Sequence, residues 1–220
     1  MSKYKAVLFD FDGTLMNTTP IIVRSWNHTT RTLLGRELPM EELALTFGEP
    51  ILETCKKLFP DEDPEAAAKI YRDYQNSEKD LMIYMMDGMA DLVRGLKARG
   101  ILTGVVTSRY WKTSPKHLYD FPVQDDFDVF IGGEDSHAHK PDPEPVLMAL
   151  EKLGVKPAEA LLIGDTGFDI LCGHNAGVDV VLVNWTLSVP EEKRVGAMKP
   201  EYTIDKAEDL YSILEIPGTF

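Results

Sequence analysis

Cysteine is nearly missing: Cys55 and Cys172 are the only two in 220 residues. Two thiols so far apart in sequence build no disulfide framework, and their scarcity fits a reducing compartment. Long apolar runs are missing too. No stretch approaches the roughly 20 apolar residues that cross a bilayer. The apolar run at residues 6–9, behind Lys3 and Lys5, is too short for a signal-peptide core and stops at Asp10. Positive charge is in deficit, with 23 Lys and Arg against 36 Asp and Glu, a formal net charge of -13. Such a surface repels a polyphosphate backbone and argues against a nucleic-acid partner. A small phosphate compound remains admissible, because a bound cation and a few basic groups reverse the field locally. The chain has no internal repeat and no low-complexity segment. The expectation is a soluble, cytoplasmic protein, a monomer by default, with no membrane and no nucleic acid as partner.

What is present is a globular composition. A hydrophobic content of 44% and a charged content of 27% suit one large core, or a core plus a small insert. Residues 6–9 read as a short apolar strand, followed by Asp10-Phe11-Asp12-Gly13-Thr14-Leu15, where Gly13 marks a turn. Helical spacing then takes over from Pro20 to Leu33, and continues over 40–45, 51–59 and 64–81. No strand pattern is legible between about Asn17 and Met85, so residues 16–85 are expected to form an all-helical insert. Beyond Asp87-Gly88 strands and helices alternate. Strands are expected at 101–106, 129–131, 160–163 and 178–183, and helices at 89–98, 143–153, 168–176 and 206–214. That alternation implies an α/β fold with a parallel, Rossmann-like sheet and right-handed crossovers, formed by residues 1–15 and 86–220. The strands are almost wholly apolar, as expected when both faces of the sheet are covered.

Four polar clusters fall at or just beyond the C-terminal ends of these strands: Asp10 with Asp12, Thr107 with Ser108, Lys140, and Asp165 with Asp169. Open α/β sheets bind ligands along that edge. Two carboxylates as close as Asp10 and Asp12 stay ionised only beside a cation or donors. A hard divalent ion such as Mg²⁺ takes carboxylate oxygens and substrate phosphate together. Asp165 can add a third oxygen, and Asp169, one helical turn on, can orient the ligands from behind. Thr107 and Ser108 offer hydroxyls and turn amides to an anion at an expected strand-to-helix junction. Lys140 offers a point charge that also pairs with the aspartates. The set suits phosphoryl transfer, which rests on positioning and charge compensation, and a carboxylate nucleophile forming an aspartyl-phosphate fits it.

The same residues, in the same order, resemble the four motifs of the haloacid dehalogenase superfamily: Asp10 to Leu15, Thr107-Ser108, Lys140-Pro141-Asp142-Pro143, and Gly164-Asp165-Thr166-Gly167-Phe168-Asp169. The likeness runs along essentially the whole chain, and the helical insert is similar to that superfamily's cap of the first type. Within it the chain is most similar to the phosphoglycolate phosphatase-like group, especially its bacterial pyrophosphatases. The features behind that closer match are Asn17-Thr18, Lys140 through Pro145, and Asn184-Trp185-Thr186-Leu187. The resemblance implies Asp10 as nucleophile and Mg²⁺ ligand. It implies Asp12 as the acid that protonates the leaving group and then the base that activates water, with its backbone carbonyl on the metal. Thr107 and Ser108 would hold the phosphoryl group, Lys140 would stabilise the aspartyl-phosphate, and Asp165 would complete the metal site with Asp169 beside it. Asp12 argues against the dehalogenase branch, which has no aspartate there. The implied activity is hydrolysis of a small phosphorylated metabolite or pyrophosphate.

By the same resemblance the Gly48-Glu49-Pro50 loop should face the reacting phosphate. Glu49 then suits a substrate hydroxyl or amine better than a second carboxylate; alternatively it is an ordinary helix N-terminal acid turned to solvent. Arg109 either reaches the substrate or is a surface arginine. A phosphomutase of the β-phosphoglucomutase type is the first alternative activity, disfavoured because Pro20 and Ile21 stand where those relatives carry a histidine. A catalytically silent binding or regulatory protein is the second. His137 and His139 lack a third His or a Cys nearby and are not read as a metal site. His28, His117 and His174 are read as structural, Cys55 and Cys172 as packed thiols, and Met82, Met85, Met86 and Met89 as packing where insert meets core.

Overall fold

A computed structural model describes residues 2–78, 83–113 and 121–218. The first strand, β1 (Ala6–Phe9), is followed by a two-residue strand, β2 (Met16–Asn17). Four helices come next: α1 (Thr19–Leu34), α2 (Met40–Ala44), α3 (Ile51–Leu58) and α4 (Pro64–Ser77). A second two-residue strand, β3 (Tyr84–Met85), pairs antiparallel with β2, so the ways into and out of the helical segment run side by side. The remainder is α5 (Met89–Ala98), β4 (Leu102–Val106), β5 (Val129–Ile131), α6 (Glu144–Leu153), β6 (Ala160–Gly164), α7 (Gly167–Ala176), β7 (Asp179–Val183), β8 (Tyr202–Ile204) and α8 (Asp209–Ile213).

Six strands form one parallel sheet in the order β5-β4-β1-β6-β7-β8. The chain winds outward from β1 through β4 to β5, then returns to the other side of β1 and winds outward again. The order therefore reverses beside β1, and the loops leaving β1, β4 and β6 splay apart there to open a crevice.

Alternation along β1 sends its side chains to two cores. Val7 and Phe9 pack with Met89, Leu92, Leu96 and Leu210 on the α5/α8 face. Ala6 and Leu8 pack with Val146, Leu150 and Cys172 on the α6/α7 face. The four helices between β2 and β3 bury an apolar cluster of their own, built on Trp26, Leu43, Cys55, Phe59 and Tyr71.

Strands β2, β3 and β8 are absent from the sequence reading. Two or three residues are too few to show a period, and β8 follows the polar segment Lys199-Pro200-Glu201. Helix α8 begins at Asp209 rather than Lys206, because the Asp209 carboxylate accepts the Asp205 and Lys206 amides at 3.0 and 3.1 Å and makes a turn of them. Between β4 and β5 the described residues hold only two 3₁₀ turns, Trp111–Thr113 and Gln124–Asp126, where a helix is expected. Met85, Met86 and Met89 do pack onto the core beside the β2–β3 ribbon. His117, Met82 and the end of the helix expected over 64–81 lie outside the described residues.

Leu8 is fully buried on the central strand. Leu8→Ala is expected to cost about 2–5 kcal/mol through lost transfer energy and the cavity it leaves, read as a lowered midpoint in chemical denaturation.

Candidate active site

The crevice beside β1 is built by four chain segments, each aimed by backbone bonding. The Asp10 amide donates to the Ile163 carbonyl at 2.8 Å, extending the β1–β6 ladder by one residue and fixing the Asp10 side chain at the strand end. The chain then turns at Gly13, whose φ is +77°. A Cβ there would lie 2.4 Å from Asp165 Oδ2, so only glycine lets the turn pass under that carboxylate. Thr107 continues β4, its amide donating to the Ile131 carbonyl at 3.0 Å, and its hydroxyl accepts the Arg109 amide at 3.2 Å. Thr166 opens α7 in a capping box: its hydroxyl accepts the Asp169 amide at 3.3 Å, and Asp169 Oδ2 accepts the Thr166 amide at 3.0 Å.

At the centre lies Lys140, buried, with its ammonium donating to Asp10 Oδ1 at 2.7 Å and Asp169 Oδ1 at 2.5 Å. Asp165 is buried beside them, its Oδ1 accepting from the Thr14 hydroxyl at 3.4 Å. Asp10, Asp165 and Asp169 each offer an oxygen within 4.8 Å of the others. Three carboxylates thus meet one ammonium. Burial pushes Asp10 up to about 7, against the pull of Lys140 and with a further push from Asp169 and Asp12. Burial likewise drives Asp165 well above the usual carboxylate range, aided by Asp10 and Asp169. Lys140 moves the other way from burial alone, because Asp10 and Asp169 outweigh the desolvation and raise it.

That imbalance, and the oxygen donors that make it, fit a divalent cation. Asp169 has both oxygens engaged, one by Lys140 and one by Thr166. Asp10 Oδ2 and Asp165 Oδ2 carry no hydrogen bond among the described residues and are the oxygens a cation could take.

Asp12 stands apart from this cluster. Its carboxylate faces Arg109, which forks onto it with Nε at 2.8 Å and Nη2 at 2.5 Å. The Arg109 side chain is only 8% exposed, so it is no surface arginine. Ser108 Oγ is buried with no hydrogen-bond partner among the described residues. The structure thus brings Asp10, Lys140, Asp165, Asp169, Thr107 and Ser108 together, and sets the Asp12–Arg109 pair against them.

The helical segment closes the other side of a cavity of about 320 Å³. Gly48, with φ of +81°, touches the core: a Cβ there would lie 2.7 Å from Thr166 Oγ1. Glu49 lines the cavity, yet its carboxylate is already held by the Thr54 hydroxyl at 3.0 Å and by the Lys57 ammonium. It therefore does not point to solvent. His139 lines the mouth against the Tyr110 hydroxyl at 2.9 Å, whereas His137 lies on the surface with Glu144. Burial pushes the Cys55 thiol up to about 11 and the Cys172 thiol up to about 12, which disfavours nucleophilic thiolates.

Several contacts of the site had no reading in the sequence. The Trp185 indole donates to the Gly13 carbonyl at 2.9 Å and the Thr186 hydroxyl to the Asp165 carbonyl, so the segment after β7 buttresses two of the loops around the crevice. Tyr71, Arg72 and Gln75 of α4 line the cavity from the helical side. Their only signal was a shared helical face at spacings of three and four.

The chain belongs to the haloacid dehalogenase-like hydrolase family, whose model matches residues 7–183. It is accordingly an enzyme of the hydrolase class. It is 34% identical over 212 residues to the pyrophosphatase PpaX of Bacillus cereus strain G9842, covering 96% of this chain and 97% of that one. A provisionally named pyrophosphatase PpaX from Caldanaerobacter subterraneus subsp. tengcongensis is 38% identical over 214 residues, covering 97% and 94%. Among solved structures, a provisionally assigned phosphoglycolate phosphatase from Lactobacillus plantarum superposes with a TM-score of 0.84 at 28% identity, covering 97% of this chain and all of that one. A haloacid dehalogenase-like hydrolase from Bacteroides fragilis gives 0.84 at 27% identity, covering 94% and 99%. Among the described residues no helix is long and apolar enough to cross a membrane.

Two outcomes follow from the geometry. Asp10 and Asp165 hold protons more tightly folded than unfolded, so the metal-free protein loses stability as pH rises from the unfolded value near 3.8 to about 7. A divalent cation competes with those protons, so its increment in melting temperature should be larger at pH 8 than at pH 5; an equal increment would place the cation elsewhere. Gly48→Ala forces a left-handed residue with a side chain against Thr166, and kcat/KM is expected to fall roughly 10- to 100-fold from the displaced loop. Steady-state kinetics checks it, and an unchanged value would separate that loop from turnover.

Proposed function

We propose that this enzyme is a Mg²⁺-dependent phosphatase that hydrolyses a small phosphate monoester or pyrophosphate through an aspartyl-phosphate on Asp10. The observation that carries the reading is the buried Asp10–Lys140–Asp169 cluster with Asp165, short of positive charge, on a cavity that Thr107 and Ser108 also line. The names of the relatives support the same class of substrate, and the protein would act on it in the cytoplasm, as a monomer.

In this reading an Asp10 oxygen bonds to phosphorus as the bond to the leaving oxygen breaks. Asp12 gives that oxygen its proton. In the second half Asp12 takes a proton from water, the hydroxide bonds to phosphorus, and the bond to Asp10 breaks, which releases inorganic phosphate and restores both carboxyl groups. Thr107 and Ser108 donate to the phosphoryl oxygens. Arg109 exchanges Asp12 for a phosphoryl oxygen, which frees the Asp12 carboxyl to meet the leaving group. Lys140 neutralises Asp10 on its inner side and is itself held in place by Asp169. Asp10, Asp165 and the Asp12 carbonyl would hold Mg²⁺, which would supply positive charge for the oxygens of the transferring group. Residues 16–85 act as the cap, which closes water out of the cavity.

Phosphate release from pyrophosphate, phosphoglycolate, sugar phosphates and p-nitrophenyl phosphate tests the proposal. Activity is expected with Mg²⁺, with loss of at least about 1000-fold in Asp10→Asn and on chelation. Acid quenching should trap label from a ³²P substrate on wild-type protein and not on the variant. Turnover that survives Asp10→Asn would overturn the mechanism.

A further inference from the structure

The cavity has a second cationic pole that the phosphatase reading does not use. Arg72 lies on α4 beside Tyr71, with Gln75 one turn on, and all three face the cavity that holds Asp10 and Lys140. Its Nε is buried and has no acceptor among the described residues, while the side chain as a whole is 28% exposed. The carboxylate facing it, Glu65, stands 3.7 Å from Nη1, beyond hydrogen-bond reach, and is itself 67% exposed. The guanidinium is thus under-satisfied, and the part of the side chain open to the cavity can take an anion without breaking a hydrogen bond to Glu65.

The surroundings favour an anion there. Of the cap acids that line the cavity, Glu49 is paired with Lys57, Glu53 with Lys56, and Glu65 is the neighbour of Arg72 itself. Tyr71 is buried, packs on Trp26 with ring centroids 4.5 Å apart and holds the Gln75 amide at 3.0 Å, so the wall around Arg72 is rigid. A guanidinium presents a planar fork matched to carboxylate or phosphate. A volume of about 320 Å³ admits a phosphoryl group at Lys140 and a short leaving group extending to the cap.

We propose that Arg72 binds a second anionic group on the leaving half of the substrate, a carboxylate or a second phosphate, and so selects doubly anionic phosphate compounds over those with a neutral leaving half. The assignment rests on the phosphatase reading of the same site. It also removes the objection that Glu49 raises against a second carboxylate, because the charge of Glu49 is spent within the cap.

The test measures kcat and KM with Mg²⁺ for pyrophosphate, phosphoglycolate, glycerol 2-phosphate and p-nitrophenyl phosphate in wild type, Arg72→Gln, Arg72→Lys and the exposed control Lys69→Gln. In Arg72→Gln the kcat/KM ratio of a doubly anionic substrate to glycerol 2-phosphate should fall roughly 10- to 100-fold, mostly through KM. Arg72→Lys should restore part of the ratio, and Lys69→Gln should leave it as in wild type. A fall for pyrophosphate alone assigns the second anion as phosphate; a fall for phosphoglycolate alone assigns it as carboxylate. Equal losses on all four compounds would reduce Arg72 to a structural residue, and no loss on any would remove it from the substrate; either overturns the proposal while the phosphatase reading stands. A wild-type protein that releases phosphate from none of them overturns both.

Discussion

The contact on which the rest depends is the Lys140 ammonium lodged between Asp10 and Asp169, with Asp165 alongside. A buried charge is tolerated only when its partners are hydrogen-bonded in good geometry. Each neighbour contributes to that condition. Asp169 is locked by the capping box of α7, and Asp165 has room for its carboxylate because residue 13 lacks a side chain. The indole of Trp185 and the hydroxyl of Thr186 tie down the backbone on which those two loops turn. The order of strands explains why such distant residues meet. With β1 in the middle and its neighbours reached by crossovers in opposite directions, the ends of β1, β4 and β6 face one crevice.

The site remains deliberately out of balance. Packing three carboxylates around one ammonium raises the proton affinity of Asp10 and Asp165, a cost that a core designed for stability alone would avoid by apolar replacement. The same imbalance leaves three carboxylate oxygens close enough together to hold a cation. Arg109 and Asp12 form a second, self-contained pair at the edge of the cluster. The charged groups of the crevice thus fall into two sets, one short of positive charge and one neutralised within itself.

The core fold was legible because its signals are local and repeated. Apolar strands of four or five residues ended at polar turns, and helices ended at glycine. Residues 6–9, 129–131 and 89–98 match the observed β1, β5 and α5. The β2–β3 ribbon and β8 were not legible, since two or three residues carry no period and owe their pairing to what lies beside them. The motif residues were legible through their order along the chain. What they touch was not. Arg109 and Asp12 are 97 residues apart, and nothing in either segment announces their pairing. Glu49 had two readings of equal standing, and Lys57 with Thr54 decided between them.

The sequence by itself determined the class of fold, the family and the chemical character of the site, because strand-end turns, apolar periodicity and ordered acidic motifs are written in short stretches of chain. Only the tertiary structure decided which charges neutralise which, that the loop of Gly48 rests on Thr166, and that Arg72 lines the same cavity as Asp10 and Lys140. Those facts depend on distances between segments far apart in sequence, and side-chain direction across such gaps is set by packing rather than by any local pattern.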